Sequence, residues 1–259
     1  MYCQTIYKHE KITLKKMITL LGTGHIFNLQ TALQQIFDEK QPDAICVELD
    51  KQRYQALLLK RNNPEAYKHV SRNVPIMYKL FAQFQENMAK EYGVEAGSEM
   101  LAAINYAQSH QLRLEFIDVN AQKLFTKMLK TMSFSEKLKL FISGFGGIFV
   151  GKKRIESELK KIDNNYDSYI KQIGQRFPTI KRVLIDERNE HMTKKILQLT
   201  DDHKKIMVCI GDGHVPGISN ILKLHKVDFE TIRLQELRKI KIEPSDTSTA
   251  SFSMEYKGF

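Results

Sequence analysis

The chain has 259 residues, 42% hydrophobic and 27% charged, which excludes an intrinsically disordered protein and suffices for one large α/β domain or two small ones. Lysine and arginine outnumber aspartate and glutamate by 40 to 30, and the net charge of +10 admits nucleic acid, an anionic membrane surface or anionic substrates as partners. No apolar run approaches the ~20 residues that cross a bilayer, and the first residues, MYCQTIYKHEKITLKKM, lack the apolar core of a secretory signal.

Residues 1–16 read as an arm ahead of Met17, either an upstream start or a loose segment. The first strand is expected at Ile18–Leu21, followed by the glycine turn and histidine of LLGTGHIF. Leu29, Ala32, Leu33, Ile36 and Phe37 then fall at helical spacing, with Asn28 as the cap, and Pro42 ends that unit. AICVEL, Ala44–Leu49, reads as a buried strand, and Asp50 can cap the helix KQRYQALLLKR. This strand–helix–strand–helix order predicts an α/β fold: a mostly parallel central sheet with flanking helices.

A long amphipathic helix is expected from Pro75 to about Tyr92, and another from Ser98, as its cap, to about His110. Leu112–Val119 alternates and reads as a strand ending near Asp118. Residues of about 121–200 read as a basic helical insert, interrupted by a glycine-rich segment, Gly144–Gly151, that suggests a lid. Within it Ile155, Leu159, Ile162, Tyr166, Tyr169 and Ile173 form a stripe that wants a partner helix, either in the same domain or in a homodimer. Pro178 opens a further helix. The strand Ile206–Ile210 restores the α/β order and runs into a second glycine-histidine turn, CIGDGHVPGI. DFETIRLQEL reads as a last strand, and residues 241–259 as a mobile tail. A single α/β domain over residues 17–240 is thus expected, with the insert inside it.

Cys3, Cys46 and Cys209 lack metal-site spacing, and the last two lie in strands. Buried free thiols in a cytoplasmic protein are the expectation. The lysines are spread along helices, as in KKRIESELKK, without the aromatic interleaving of an RNA-binding sheet. Nothing prompts a nucleic-acid role; peripheral contact with a membrane stays open.

In an open parallel sheet, ligands bind at the carboxyl ends of the strands. His25, Glu48, Asp118 and His214 all fall at such ends. If these strands are neighbours, two imidazoles and two carboxylates meet at one edge, and the repeated Gly-x-x-His is explained by a site that needs one histidine from each turn. The glycines are expected to let the backbone turn tightly there and to leave room above the sheet. Two histidines with a carboxylate suit a divalent transition metal that polarises a carbonyl and activates water, with Glu48 or Asp118 as base. In DERNEHM, Arg188 held by a neighbouring acid could clamp a substrate carboxylate, although spacing alone also fits an exposed helix face. Glu99 sits in a first helical turn, where acids favour the helix dipole. The competing reading, a dinucleotide-binding turn, founders on Phe27, which stands where G-x-G-x-x-G needs a third small residue.

Five motifs in order, LLGTGHIF, PDAICVELDKQRYQAL, QENMAKEYGVEAGSEMLAAINYA, PTIKRVLIDERNEHMTKKI and VCIGDGHVPGI, resemble the TraB family over roughly Met17 to Leu237. That family is related to the Tiki metalloproteases, the erythromycin-esterase-like proteins and the haem-binding ChaN proteins. The resemblance implies their α/β core and a divalent-metal-dependent, peptide-directed function. Tiki members are metal-dependent peptidases, and bacterial TraB (PrgY-like) members are associated with shutting down peptide pheromone signalling. It implies metal ligands at His25, His214 and Glu48, and catalytic or supporting roles for Glu48, Glu99 and Arg188. Glu187 and Arg188 would bind substrate. The ion implied is of the Mn, Co, Zn or Fe type. Two departures stand out. Asp118-Val119-Asn120 lacks the basic residue of the relatives' Asp-Arg-Asp, which weakens any role for that loop in pairing with acids. Many relatives continue into membrane helices beyond the point where this chain stops, so a soluble protein is expected. Three functions remain open: a metal-dependent hydrolase acting on a peptide or protein, a non-catalytic peptide- or protein-binding regulator using the same cleft, and a nucleic-acid or membrane-surface module driven by charge.

Overall fold

The computed structural model describes residues 16–24, 27–70, 97–147 and 166–240. The N-terminal arm, His25, the expected helix from Pro75, the stripe residues Ile155, Leu159 and Ile162, and residues 241–259 lie outside them. Five strands, β1 (Met17–Thr23), β2 (Ala44–Val47), β3 (Arg113–Phe116), β4 (Lys205–Gly211) and β5 (Phe229–Ile232), form one all-parallel sheet in the order β3-β2-β4-β1-β5. β1, β2 and β4 lie inside the sheet and are covered on both faces, so their sequences are nearly unbroken apolar runs.

The helices divide between the faces. α1 (Gln30–Lys40) and α4 (Ser98–Ser109) place Leu33, Phe37, Met100 and Ile104 on one face, over Leu21, Ile45, Val47 and Cys209. α2 (Lys51–Asn62), which continues into α3 (Pro64–Val70), adds Tyr54 and Leu57 to that side. On the other face α9 (Glu187–Leu199) and α10 (Val215–Leu224) bring Met192, Ile196, Ile218 and Leu222 over Ile18, Leu20, Cys46 and Val208. Cys46 and Cys209 are buried free thiols on opposite faces, each pushed up by burial.

Between β3 and β4 the described chain is all helical: α5 (Ala121–Thr131), α6 (Phe134–Gly147), α7 (Tyr166–Arg176), α8 (Pro178–Lys181), a π-helical turn (Arg182–Asp186) and then α9. The expected lid segment begins inside α6, which runs through Gly144, Gly146 and Gly147; the remainder of that segment lies outside the described residues. No helix among the described residues is long and apolar enough to cross a membrane.

Local differences from expectation have simple causes. Ser98 is the first residue of α4 and not its cap; Gly97 precedes it at φ 83°, a left-handed turn suited to glycine. Asn28 accepts from the Gln30 amide at 3.4 Å, but the residue flanking α1 is Leu29, which makes no side-chain cap. DFETIRLQEL is not one strand: β5 ends at Ile232, and α11 (Leu234–Leu237) follows, its first turn closed by the Glu236 carboxylate accepting from the Arg233 amide at 2.7 Å. Asp50 caps α2 as expected, accepting from the amides of Gln52 and Arg53 at 2.9 and 3.1 Å.

One buried carboxylate ties the insert together. Glu136 closes a capping box with Ser133, accepting from its amide and hydroxyl at 3.1 Å each. It also accepts from the amide and hydroxyl of Thr179 in α8, at 2.8 Å each. Burial alone raises its pKa, but the Thr179 and Ser133 donors outweigh burial and hold it below the ordinary 4.5. A depressed folded value means a contribution present above pH 4.5 and lost as pH falls through the folded value. Glu136→Gln is expected to cost about 1–3 kcal/mol near neutral pH. In thermal unfolding of both proteins from neutral pH downward, the gap is expected to narrow progressively below pH 4.5.

Candidate functional site

The connections leaving β1 and β2 cross the α1/α4 face, whereas the one leaving β4 crosses the α9/α10 face. The carboxyl end of β4 is therefore a topological switch point, the place where open α/β sheets bind their ligands. The strand order places the expected residues side by side along this edge. Asp118 follows β3, Glu48 follows β2, and a short 3-10 turn, Asp212–His214, follows β4. β1, the strand that leads into His25, is the next neighbour and pairs Thr23 with Gly211.

Arg188, in the first turn of α9, joins these ends. Its Nε and Nη2 donate to the two oxygens of Asp118, at 2.9 Å each, in a fork. Nη2 also donates to Glu48 Oε1, and Nη1 donates to His214 Nε2 at 2.9 Å and to the Leu184 carbonyl at 3.2 Å. A guanidinium has five N–H groups, and five acceptors meet it here. Glu48, Asp118 and His214 are 6%, 6% and 8% exposed, so the network is shielded from water. Burial by itself lowers the pKa of Arg188, but the adjacent Glu48 and Asp118 carboxylates outweigh it and raise the value, so the arginine stays charged.

The arginine fixes the chemistry of His214. A guanidinium can only donate, so Nε2 must accept and the ring proton lies on Nδ1. Nδ1 donates to Asn189 Oδ1 at 2.6 Å. His214 is thus held neutral in one tautomer, its Nε2 lone pair taken by Arg188, with Glu48 Oε1 3.4 Å from the same nitrogen. The other oxygen of Glu48 accepts from the Gly211 amide at 2.6 Å.

The glycines of the repeated turn serve close approach and not a tight bend: among the described residues, Gly97 is the glycine with positive φ. A Cβ on Gly217 would lie 2.1 Å from Asn189 Nδ2, so glycine there makes room for the amide that orients His214. A Cβ on Gly22 would lie 2.1 Å from Asp212 Oδ1. Asp212 takes no part in the arginine network. It accepts from Arg233 at 2.8 and 2.6 Å and from the Leu234 amide at 2.9 Å, pinning α11 beside β1.

The remaining candidates separate. Glu187 leaves the network and pairs with Lys127 at 2.9 Å and Arg182 at 3.3 Å. Glu99 is fully buried in the first turn of α4, on the opposite face of the sheet from α9. Phe27 packs against the core, with the Arg238 guanidinium 4.2 Å above its ring. Asp118 pairs with basic groups from other elements: Arg188 from α9 and Arg53 from α2, the latter at 3.4 Å.

Asn189 escaped sequence reasoning. An asparagine in a first helical turn reads as an exposed or capping residue, and its partner is distant in the chain. The available signal was Gly217, three residues beyond His214.

Among the described residues no three His, Cys, Asp or Glu side chains gather as a metal site. The two donors that do converge, Glu48 Oε1 and His214 Nε2, have the chemistry that a divalent transition ion takes, and the tautomer of His214 is the ligating one. They fit such an ion as two ligands of a set that needs at least one more.

The TraB/PrgY/gumN family model matches residues 6–229. The chain is similar to an uncharacterized protein of Methanocaldococcus jannaschii, with 28% identity over 229 residues, 86% of this chain and 57% of that protein. It therefore spans little more than half the length of that relative.

Gly217→Ala tests how His214 is held. The added methyl is expected to cost about 1–3 kcal/mol by urea unfolding. It is also expected to displace Asn189, seen by nitrogen NMR as a shift of the His214 Nδ1–H signal, while Arg188 keeps the Nδ1–H tautomer. An unshifted signal would mean that Asn189 does not hold that proton.

Proposed function

The chain belongs to the TraB/PrgY/gumN family, and from that premise we propose that it is a divalent-metal-dependent hydrolase acting on peptide-like substrates. The observation that carries this reading is the pair Glu48 Oε1 and His214 Nε2, delivered by adjacent strands, 3.4 Å apart, with the far nitrogen of the imidazole fixed by Asn189. A buried carboxylate and a neutral imidazole turned toward one point are what a metal-assisted hydrolase needs. Glu48 and His214 would hold the ion, with His25 as the third ligand. An ion of the Mn, Co, Zn or Fe type supplies Lewis acidity toward a substrate carbonyl when bound.

The chain's own groups do the rest. Gly211 and Arg188 orient Glu48; Asn189 orients His214. Asp118 anchors Arg188 beside both. Glu99 supports the same edge from the opposite face, and Glu187 stands on the rim with Lys127 and Arg182.

A second reading is a non-catalytic peptide- or protein-binding regulator that uses the same site. One observation favours it: Arg188 meets five acceptors within the chain and leaves no N–H for a substrate in this arrangement.

Elemental analysis of protein purified without chelators, together with turnover of a peptide library, separates the two. The hydrolase reading expects bound divalent metal and turnover lost in His25→Ala and His214→Ala, with Asn189→Ala costing about 10–100-fold. Protein that carries no metal, cleaves no peptide and keeps peptide binding after both histidine changes belongs to the second reading.

A further inference from the structure

Arg188 already places a cation where the lone pairs of Glu48 and His214 meet. Its Nη2 faces Glu48 Oε1 and its Nη1 faces His214 Nε2 at 2.9 Å. These are the two donor atoms that the metal-dependent reading assigns to the ion. One lone pair cannot serve a guanidinium N–H and a metal at once. Resting on that reading, we infer that Arg188 is a tethered counter-cation that competes with the divalent ion for Glu48 and His214, so that the side-chain position of Arg188 regulates metal occupancy.

The remaining contacts of Arg188 make such an exchange feasible within the fold. Its fork on Asp118, at 2.9 Å for each bond, and its bond to the Leu184 carbonyl at 3.2 Å involve neither donor. To free both lone pairs the guanidinium must swing Nη1 and Nη2 away, giving up Leu184 and one arm of the fork, while Nε can stay on Asp118 Oδ1 as the pivot. His214 needs no change of protonation, because Nδ1 stays on Asn189 in either arrangement and Nε2 is an acceptor in both. Without metal, the arginine is the cation that answers Glu48 Oε1.

The test is calorimetric titration of MnCl2 into metal-free wild type, Arg188→Met and Arg188→Lys, with thermal unfolding of each at rising Mn2+. Arg188→Met is expected to lose roughly 10 °C in Tm without metal. Mn2+ is expected to raise its Tm more than it raises that of wild type, and to bind roughly tenfold tighter or better. Adding His214→Ala to this variant is expected to abolish the gain. If Arg188→Met does not fold, Arg188→Lys decides the matter: lysine keeps the charge but lacks the fork, and tighter Mn2+ binding than wild type is again expected. Equal or weaker binding by the folded variants, with wild type binding Mn2+, overturns the competition and leaves the metal-dependent reading intact. Mn2+ binding by none of the proteins overturns both.

Discussion

A buried guanidinium has to be answered on every side, and in this protein the answer comes from elements far apart in the chain. Arg188 is met by Glu48 beyond β2, Asp118 beyond β3, His214 beyond β4 and the Leu184 carbonyl in the π-helical turn. An arginine removed from water and left partly unpaired would cost several kcal/mol, so these partners constrain one another. The sheet order puts the acids side by side, and α9 lays the arginine across them. Position, protonation and charge are set together: the carboxylates keep Arg188 charged, and Arg188 in turn dictates the tautomer of His214.

The π-helical turn at Arg182–Asp186 stands directly before this contact. Its extra residue shifts the register of everything that follows in α9. Successive side chains on a helix diverge by about 100°. Even so, the network uses both Arg188 and Asn189, because it wraps around the start of α9: the arginine reaches toward β2 and β3, and the asparagine toward the turn after β4. Gly217 then allows α10 to lie close against Asn189. The ends of β4, α9 and α10 thus form one unit whose packing and chemistry cannot be changed separately.

Much of this was visible in the residues, for reasons that differ by position. The unbroken apolar runs of β1, β2 and β4 marked strands covered on both faces, and the alternation with helices implied a parallel sheet. Glu48 and His214 were legible because they follow such runs directly. The cap at Asp50 was legible because its hydrogen bonds are local. Ser98 was misread because serine before a helix resembles a cap, while the left-handed turn at Gly97 leaves no side-chain signature. The end of β5 was misread because Leu234 and Leu237 continue an apolar pattern that suits either a strand or a helical turn, and Asp212, more than twenty residues earlier in the chain, holds the Leu234 amide. The repeated glycines were half legible: the room they leave was expected, but spacing cannot tell a tight bend from a close contact.

Residue types and their order along the chain determined the α/β class, the parallel sheet and the strand-end positions of Glu48, Asp118 and His214, because strand and helix periodicity is a local property. Tertiary structure alone decided that β2 and β4 are adjacent, that Arg188 spans both carboxylates and that Asn189 orients the imidazole. The side-chain contacts among these join residues 25 to 140 positions apart. Side-chain pairing over such distances follows from sheet order and helix placement, which no single stretch of sequence encodes.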